Sequence, residues 1–195
     1  VTINMDVFEQ FMGFVNERNE IWWRRVVEKK SAPWTDDPIL REYHFTNVFR
    51  DLDRGTLYYI DNILSKGSND EKDKRNVVFN TLIYRVFNRV ETYDAHGFIR
   101  LENFEEDFER MKRILRERRA QGHSITTNAH YLPTFSQYNP DPKTRSNKTE
   151  NLFCVVQLWY DNFDEYYEGI VKAKDMEEQR NFLMDMPGLG KFLAY

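Results

Sequence analysis

Between Pro33 and Arg54 the chain reads PWTDDPILREYHFTNVFRDLDR, a stretch dense in arginine, aspartate and amide side chains set among aromatics. The arginines among them suit an anionic ligand. An arginine fork grips phosphate or carboxylate through paired N–H groups. Wound as a helix at about 100° per residue, Phe45, Val48, Phe49 and Leu52 fall on one side and Tyr43, Asn47, Arg50 and Arg54 on the other. A solvent face stabilised by charge pairs, each worth ~0.3 kcal/mol, would look much the same. Asn and Asp are poor helix formers, however, and a face built only for stability would favour Glu, Lys and Ala. A similar arrangement recurs in IYRVFNRVET, where Arg85 and Asn88 share one side and Leu82, Val86 and Val90 the other. Two such helices could face one another across a pocket. An ion-pair network with Asp53 or Glu91 would use the same residues, and the pattern alone does not choose.

Other chemistries find less support. His44, His96, His123 and His130 lack the helical spacing of metal ligands, and no second cysteine exists to complete a zinc site, so no metal is expected. Cys154 sits in the apolar run LFCVVQLWY and reads as core packing. No nucleophile-elbow signature accompanies the serines. The run MPGLGK is not a phosphate loop: Asp185 stands where that loop needs its first glycine, and Phe192 where it needs Ser or Thr.

The same glycines fit another device. Pro187-Gly188-Leu189-Gly190, leading into an apolar segment, resembles the hairpin of a helix-hairpin-helix element as found in the DNA glycosylase superfamily. There the glycines let backbone N–H groups at a helix N-terminus approach a DNA phosphate, which makes Gly188, Gly190 and Lys191 candidate DNA-binding residues. A tight helix-to-helix turn would use the same glycines.

The elements that must position these groups are helical almost throughout. Phe8, Phe11, Met12, Val15, Trp22 and Val26 recur every three or four residues and predict a first helix ending near Lys30. Thr35 or Asp36 would cap a second helix with Pro38 in its first turn, running to about Arg54 and stopping at Gly55. A third covers 57–64. Val78, Leu82, Val86 and Val90 mark a fourth; Phe104, Phe108, Met111 and Leu115 mark a fifth that ends at QGH. Residues 124–150 lose periodicity, and so long a connection is usually functional or mobile. A helix resumes over 152–174, a short one precedes MPGLGKFLAY, and another should begin after Gly190. No strand pattern appears. The expectation is an all-α, single helical domain over 1–195, with a C-terminal continuation beyond Tyr195.

Composition narrows the class. Hydrophobic residues make up 41% of the 195, enough for a real core. The net charge of −4 argues against loose coating of nucleic acid and leaves room only for a local basic cleft. No apolar run approaches the ~20 residues needed to cross a bilayer, and no signal-peptide layout opens the chain, so a cytoplasmic location is expected.

Taken together, NERNEIWWRR, APWTDDPIL, FTNVFRDLDR, YRVFN and PGLGKFLAY resemble the helical family of phage thymine-hypermodification proteins. These are the α-glutamyl/putrescinyl thymine pyrophosphorylases, related to the helical domain of 5-hydroxymethyluracil DNA kinases. The resemblance runs from about Glu17 to Tyr195 and is weak between Asp94 and Glu150. It implies a helix-hairpin-helix, glycosylase-like fold acting on DNA that carries modified thymine, with a hydroxymethyluracil DNA kinase upstream and the host cytoplasm as location. It implies further a transferase that replaces the pyrophosphate on 5-(pyrophosphoryloxymethyl)uracil with an amino acid or amine, without a cofactor.

Under that reading Arg50, Arg54 and Arg85 would hold the departing pyrophosphate, and Asn47 and Asn88 would read the edge of an extruded base. Trp34 would stack on it, and Asp36 or Asp53 would position or deprotonate the amine. Glycosylases of this fold use an aspartate beyond the hairpin, which the chain does not reach, and bifunctional ones a lysine one position after Lys191, where Phe192 stands. A glycosylase for modified thymine, and a non-catalytic DNA-binding module working with the kinase, are the alternatives.

Overall fold

The computed structural model describes residues 3–127, 135–191, 193 and 194; His130, Phe192 and Tyr195 lie outside them. The described residues form helices and irregular segments, with no strand among them. By backbone contacts the chain divides into two compact units, Val1–Leu57 and Tyr58–Tyr195.

The first unit opens with α1 (Met5–Trp22), capped by Asn4, whose side chain accepts the amides of Asp6 and Val7 at 3.1 and 3.3 Å. The helix widens into a π turn over Trp23–Val27. α2 (Pro38–Glu42) is short. Asp37 is its cap, accepting the amides of Ile39 and Leu40 at 2.8 and 3.0 Å, with Pro38 in the first turn as expected. Thr35 and Asp36 are not the cap; Thr35 Oγ1 instead accepts the Asp37 amide at 3.1 Å, fixing the approach to the helix.

The second helix therefore does not run to Arg54. Tyr43 leaves it in extended conformation, and residues 44–49 form no helix before a single 3-10 turn at Arg50–Leu52. The two-faced helix expected here is replaced by a folded-back loop because side chains from elsewhere hold its backbone. Arg18 Nη2 donates to the Phe45 carbonyl (3.0 Å), while Asn47 Nδ2 and Trp22 Nε1 both donate to the Leu52 carbonyl (2.9 and 3.1 Å). Those bonds satisfy carbonyls that a helix would otherwise have satisfied. The Phe45 ring packs edge-on against Phe14 at 5.3 Å. Gly55, expected as a stop, lies inside the first turn of α3 (Arg54–Asn62), whose first-turn amide of Leu57 bonds to the Asp53 carbonyl.

The second unit holds the main core. α4 (Glu71–Phe87) is capped by Asp70 and stops at Asn88, which takes the left-handed conformation at φ 45° and returns its amide to Tyr84. The expected continuation through Val90 is thus a separate helix, α5 (Val90–His96). α6 (Phe104–Ala120) ends at the Gly122 turn, as predicted. The helix expected over 152–174 is broken at Asn162 into α7 (Lys148–Asp161) and α8 (Phe163–Lys172), and α9 (Met176–Asp185) follows. After Gly190 the described residues make only a turn, with the amides of Leu193 and Ala194 both directed to the Gly190 carbonyl.

Phe79, Ile83, Val86 and Phe87 of α4, Met111 and Leu115 of α6, and Val155, Val156 and Trp159 of α7 are fully buried together. Two buried asparagines tie the loop before α6 to α4. Asn80 exchanges a pair of bonds with Ile99 (2.7 and 2.9 Å), and Asn76 Oδ1 accepts the Leu101 amide (2.9 Å). Cys154 of α7 is only half-buried, short of full core packing, and burial pushes its thiol above the ordinary value.

Candidate functional site

The first unit contains a cleft of about 860 Å³. Its walls come from the end of α1 and the π turn (Arg18, Trp22, Arg25), from the segment before α2 (Trp34) and from the loop after it. The π turn widens the helix where Trp22, Arg25 and Val26 line the opening, a distortion frequent at functional sites. The Ala32–Pro33 peptide is cis, and both residues line the cleft.

Four arginines, Arg18, Arg25, Arg41 and Arg54, meet one carboxylate, Asp53, among the described lining residues. Arg18 Nη2 donates to Asn47 Oδ1 (2.6 Å) as well as to Phe45 O. Both partners are neutral. Burial, and then the charge of Arg25, hold the Arg18 guanidinium below its ordinary proton affinity, with Asp53 opposing. Among the described residues neither Arg18, Arg25 nor Arg41 has an ion-pair partner. Arg25 stands over the Trp34 ring, its guanidinium carbon 5.7 Å from the centroid. Trp34 itself is pinned: its indole N–H donates to Lys30 O (2.7 Å), and its carbonyl accepts from Arg24 Nη1 (2.5 Å).

Of the residues singled out from the sequence, Trp34, Asn47, Asp53 and Arg54 line this cleft together. Asn47 is a node. Its two N–H groups go to Leu52 O and to Asp53 Oδ1 (3.1 Å), and its oxygen receives Arg18, so its donors are committed to the loop. Arg50 pairs with Asp53 Oδ2 at 2.7 Å, but its side chain is 77% exposed and outside the lining. Asp36 is exposed and also outside it. Asp53, bonded by Asn47 and Arg50, is a held carboxylate rather than an open base.

The remaining candidates belong to the second unit. Asn88 is exposed and ends α4. Arg85 Nε donates to the Leu193 carbonyl at 3.2 Å, tying α4 to the C-terminal turn. In the run expected as a hairpin, Gly188 is buried at φ 82°, where a side chain would meet Phe135 and Val155 at 3.1 and 3.2 Å. Its amide donates to Tyr138 Oη (3.2 Å), and the Pro187 carbonyl accepts from Trp159 (2.8 Å). The first glycine of the hairpin is therefore built into the core, while Gly190 and Lys191 are exposed.

Arg18, Arg25 and Arg41 were not singled out from the sequence. A signal existed for two of them: Arg18, Trp22 and Arg25 stand at i, i+4 and i+7, one helical face. Elsewhere, no group of three or more metal-ligating side chains clusters among the described residues, and no described helix is long and apolar enough to cross a membrane.

Comparison with known proteins fixes the kinship. Residues 5–195 match the family described as the helical domain of 5-hmdU DNA kinase. A 5-hmdU DNA kinase of Bacillus phage SP10 is 46% identical over 187 residues, covering 94% of this chain. The chain spans only 29% of that relative's length. No solved structure matches. The match over nearly the whole length places the chain in the 5-hmdU DNA kinase helical-domain family.

Proposed function

We propose that this chain is the DNA-recognition part of a thymine-hypermodification protein, and that the cleft of the first unit receives DNA carrying 5-hydroxymethyluracil for a kinase activity of the same pathway. One observation carries this reading. Arg18, Arg25 and Arg41 line a cleft beside Trp34 with no acidic partner among the described residues, in a chain whose net charge is −4. Arginine unmatched by carboxylate is an anion site waiting for its ligand, and an aromatic wall beside it suits a base. The kinship with a phage 5-hmdU DNA kinase supports DNA carrying that base as the ligand. The one carboxylate in the cleft is occupied by Asn47 and Arg50, so binding is better supported than catalysis.

The test is equilibrium binding of oligonucleotides with and without 5-hydroxymethyluracil at two salt concentrations. Arg41, whose side chain makes no described bond, is the clean variant. Arg41→Ala should weaken binding about tenfold and reduce the salt slope by about 0.9. Identical binding by wild type and variant would remove the cleft from the interface.

A second reading keeps one specific support. Asp53 stands in the cleft with Arg54, the pairing that displacement of pyrophosphate by an amino acid or amine would use, with Arg50 at its edge. Incubating the protein with DNA bearing pyrophosphorylated 5-hydroxymethyluracil and a mixture of amino acids and polyamines, followed by mass spectrometry of the nucleosides, decides it. A thymidine adduct lost in Asp53→Asn establishes transfer. Unchanged nucleosides exclude it, and released free base would indicate a glycosylase.

A further inference from the structure

Three groups around the cleft mouth differ in how firmly they are held. Trp34 is fixed at its indole N–H by Lys30 and at its carbonyl by Arg24. Arg18 is fixed by Asn47 and the Phe45 carbonyl. Arg25 is exposed, and its one described contact is the face of Trp34. A cation over a partly exposed ring is held weakly compared with a charge-assisted bond to phosphate. Arg25 also stands close enough to Arg18 for the two positive charges to oppose one another, a repulsion that a bound anion removes.

Resting on the DNA-recognition reading above, we infer that Arg25 gates this cleft: it covers the face of Trp34 in the free protein and leaves it for the phosphate of an incoming nucleotide, whose ring takes the uncovered face. The ligand must then carry an aromatic ring and a phosphate in one molecule. A nucleoside competes with Arg25 for the ring. A nucleotide recruits Arg25 and gains the ring as well. Arg18, pinned in place, supplies the second contact to the anion, and Trp34, pinned likewise, supplies a stacking surface that needs no ordering on binding.

The two roles of Arg25 give its removal effects of opposite sign. Tryptophan fluorescence of the whole chain would be titrated with 5-hydroxymethyl-2′-deoxyuridine, its 5′-monophosphate, and single-stranded DNA carrying one such base, with Trp34→Phe identifying the signal. In Arg25→Ala the nucleoside should bind about threefold tighter, because nothing covers the ring. The monophosphate should bind about tenfold weaker, because its phosphate partner is gone. Weaker binding of both ligands makes Arg25 an ordinary wall and overturns the gate, as does unchanged binding of both, no detectable nucleoside binding to the variant, or a signal that survives in Trp34→Phe. A wild-type chain that binds no DNA overturns the recognition reading itself, whereas DNA binding with the wrong sign pattern overturns the gate alone.

Discussion

The arginines lining the cleft of the first unit and the paired arginines of the second unit are used in opposite ways. In the second unit Arg75 is paired with Asp164, Arg100 and Arg110 converge on Asp107 at 3.2 and 2.5 Å, and Arg116 forms a two-pronged bond to Glu150 at 2.8 Å. The Asp107 side chain is fully buried. Burial alone would raise its proton affinity, but the bonds from Arg100 and Arg110 outweigh this and hold the carboxyl below its ordinary value. In the first unit, Arg18, Arg25 and Arg41 face a cleft and pair with no carboxylate among the described residues. Core follows the same division: the second unit buries a cluster from four helices, the loops between them and the C-terminal turn, whereas no residue of α1 is buried. Charge paired within the fold is neutralised there, whereas charge left without a carboxylate in a concave place remains available to an anion.

The largest expected effect lies on the stability side of this contrast. Trp159→Ala removes a fully buried indole and its bond to the Pro187 carbonyl, and should cost about 4 kcal/mol, read as a drop in the urea midpoint. A comparable loss would collapse the contrast if Arg41→Ala produced it.

Next is His96 of α5, buried against Tyr93 and Phe87, whose ring is held down to about 4 from 6.5, first by burial and also by Arg110, against the opposing bond to Gly97 O. Between those two values the unfolded chain takes up a proton that the folded chain refuses. Stability should therefore be full above about pH 6.5 and fall as pH drops toward about 4, by about 3 kcal/mol in all. His96→Gln should flatten that part of the profile. The carboxylates held low, Asp107 and Glu150, act further down, where acid removes their contribution as well.

A smaller effect is expected at Gly188→Ala. The positive φ and the approach to Phe135 and Val155 should cost about 1 to 2 kcal/mol in thermal unfolding, with DNA affinity unchanged if the hairpin is structural. A selective loss of DNA affinity would restore the hairpin as a phosphate contact. Smallest on stability is Arg41→Ala, within about 0.5 kcal/mol, while DNA binding falls about tenfold. That separation of stability from binding is the sharpest form of the comparison.

The helical class was visible because apolar spacing in α4, α6 and α7 repeats faithfully, and Asp70, Asn147 and Asp175 cap where polar residues precede such runs. Breaks at Asn88 and Asn162 were hidden, since the apolar period passes through them undisturbed. The loop at 43–53 was misread for a deeper reason. Its own sequence carries a helical pattern, but Arg18, Trp22 and Asn47 supply the bonds that draw it into another shape, and two of those three lie more than twenty residues away. The cleft followed the same rule. Trp34, Asn47, Asp53 and Arg54 were identifiable by type, whereas Arg50 and Asp36 share their chemistry and stand outside.

Residue type and local spacing thus determined the helical class and the long apolar-patterned helices α1, α4, α6 and α7. Which cations are neutralised and which remain open depended on partners distant in sequence, because an arginine becomes structural or available according to the acceptor that folding brings to it.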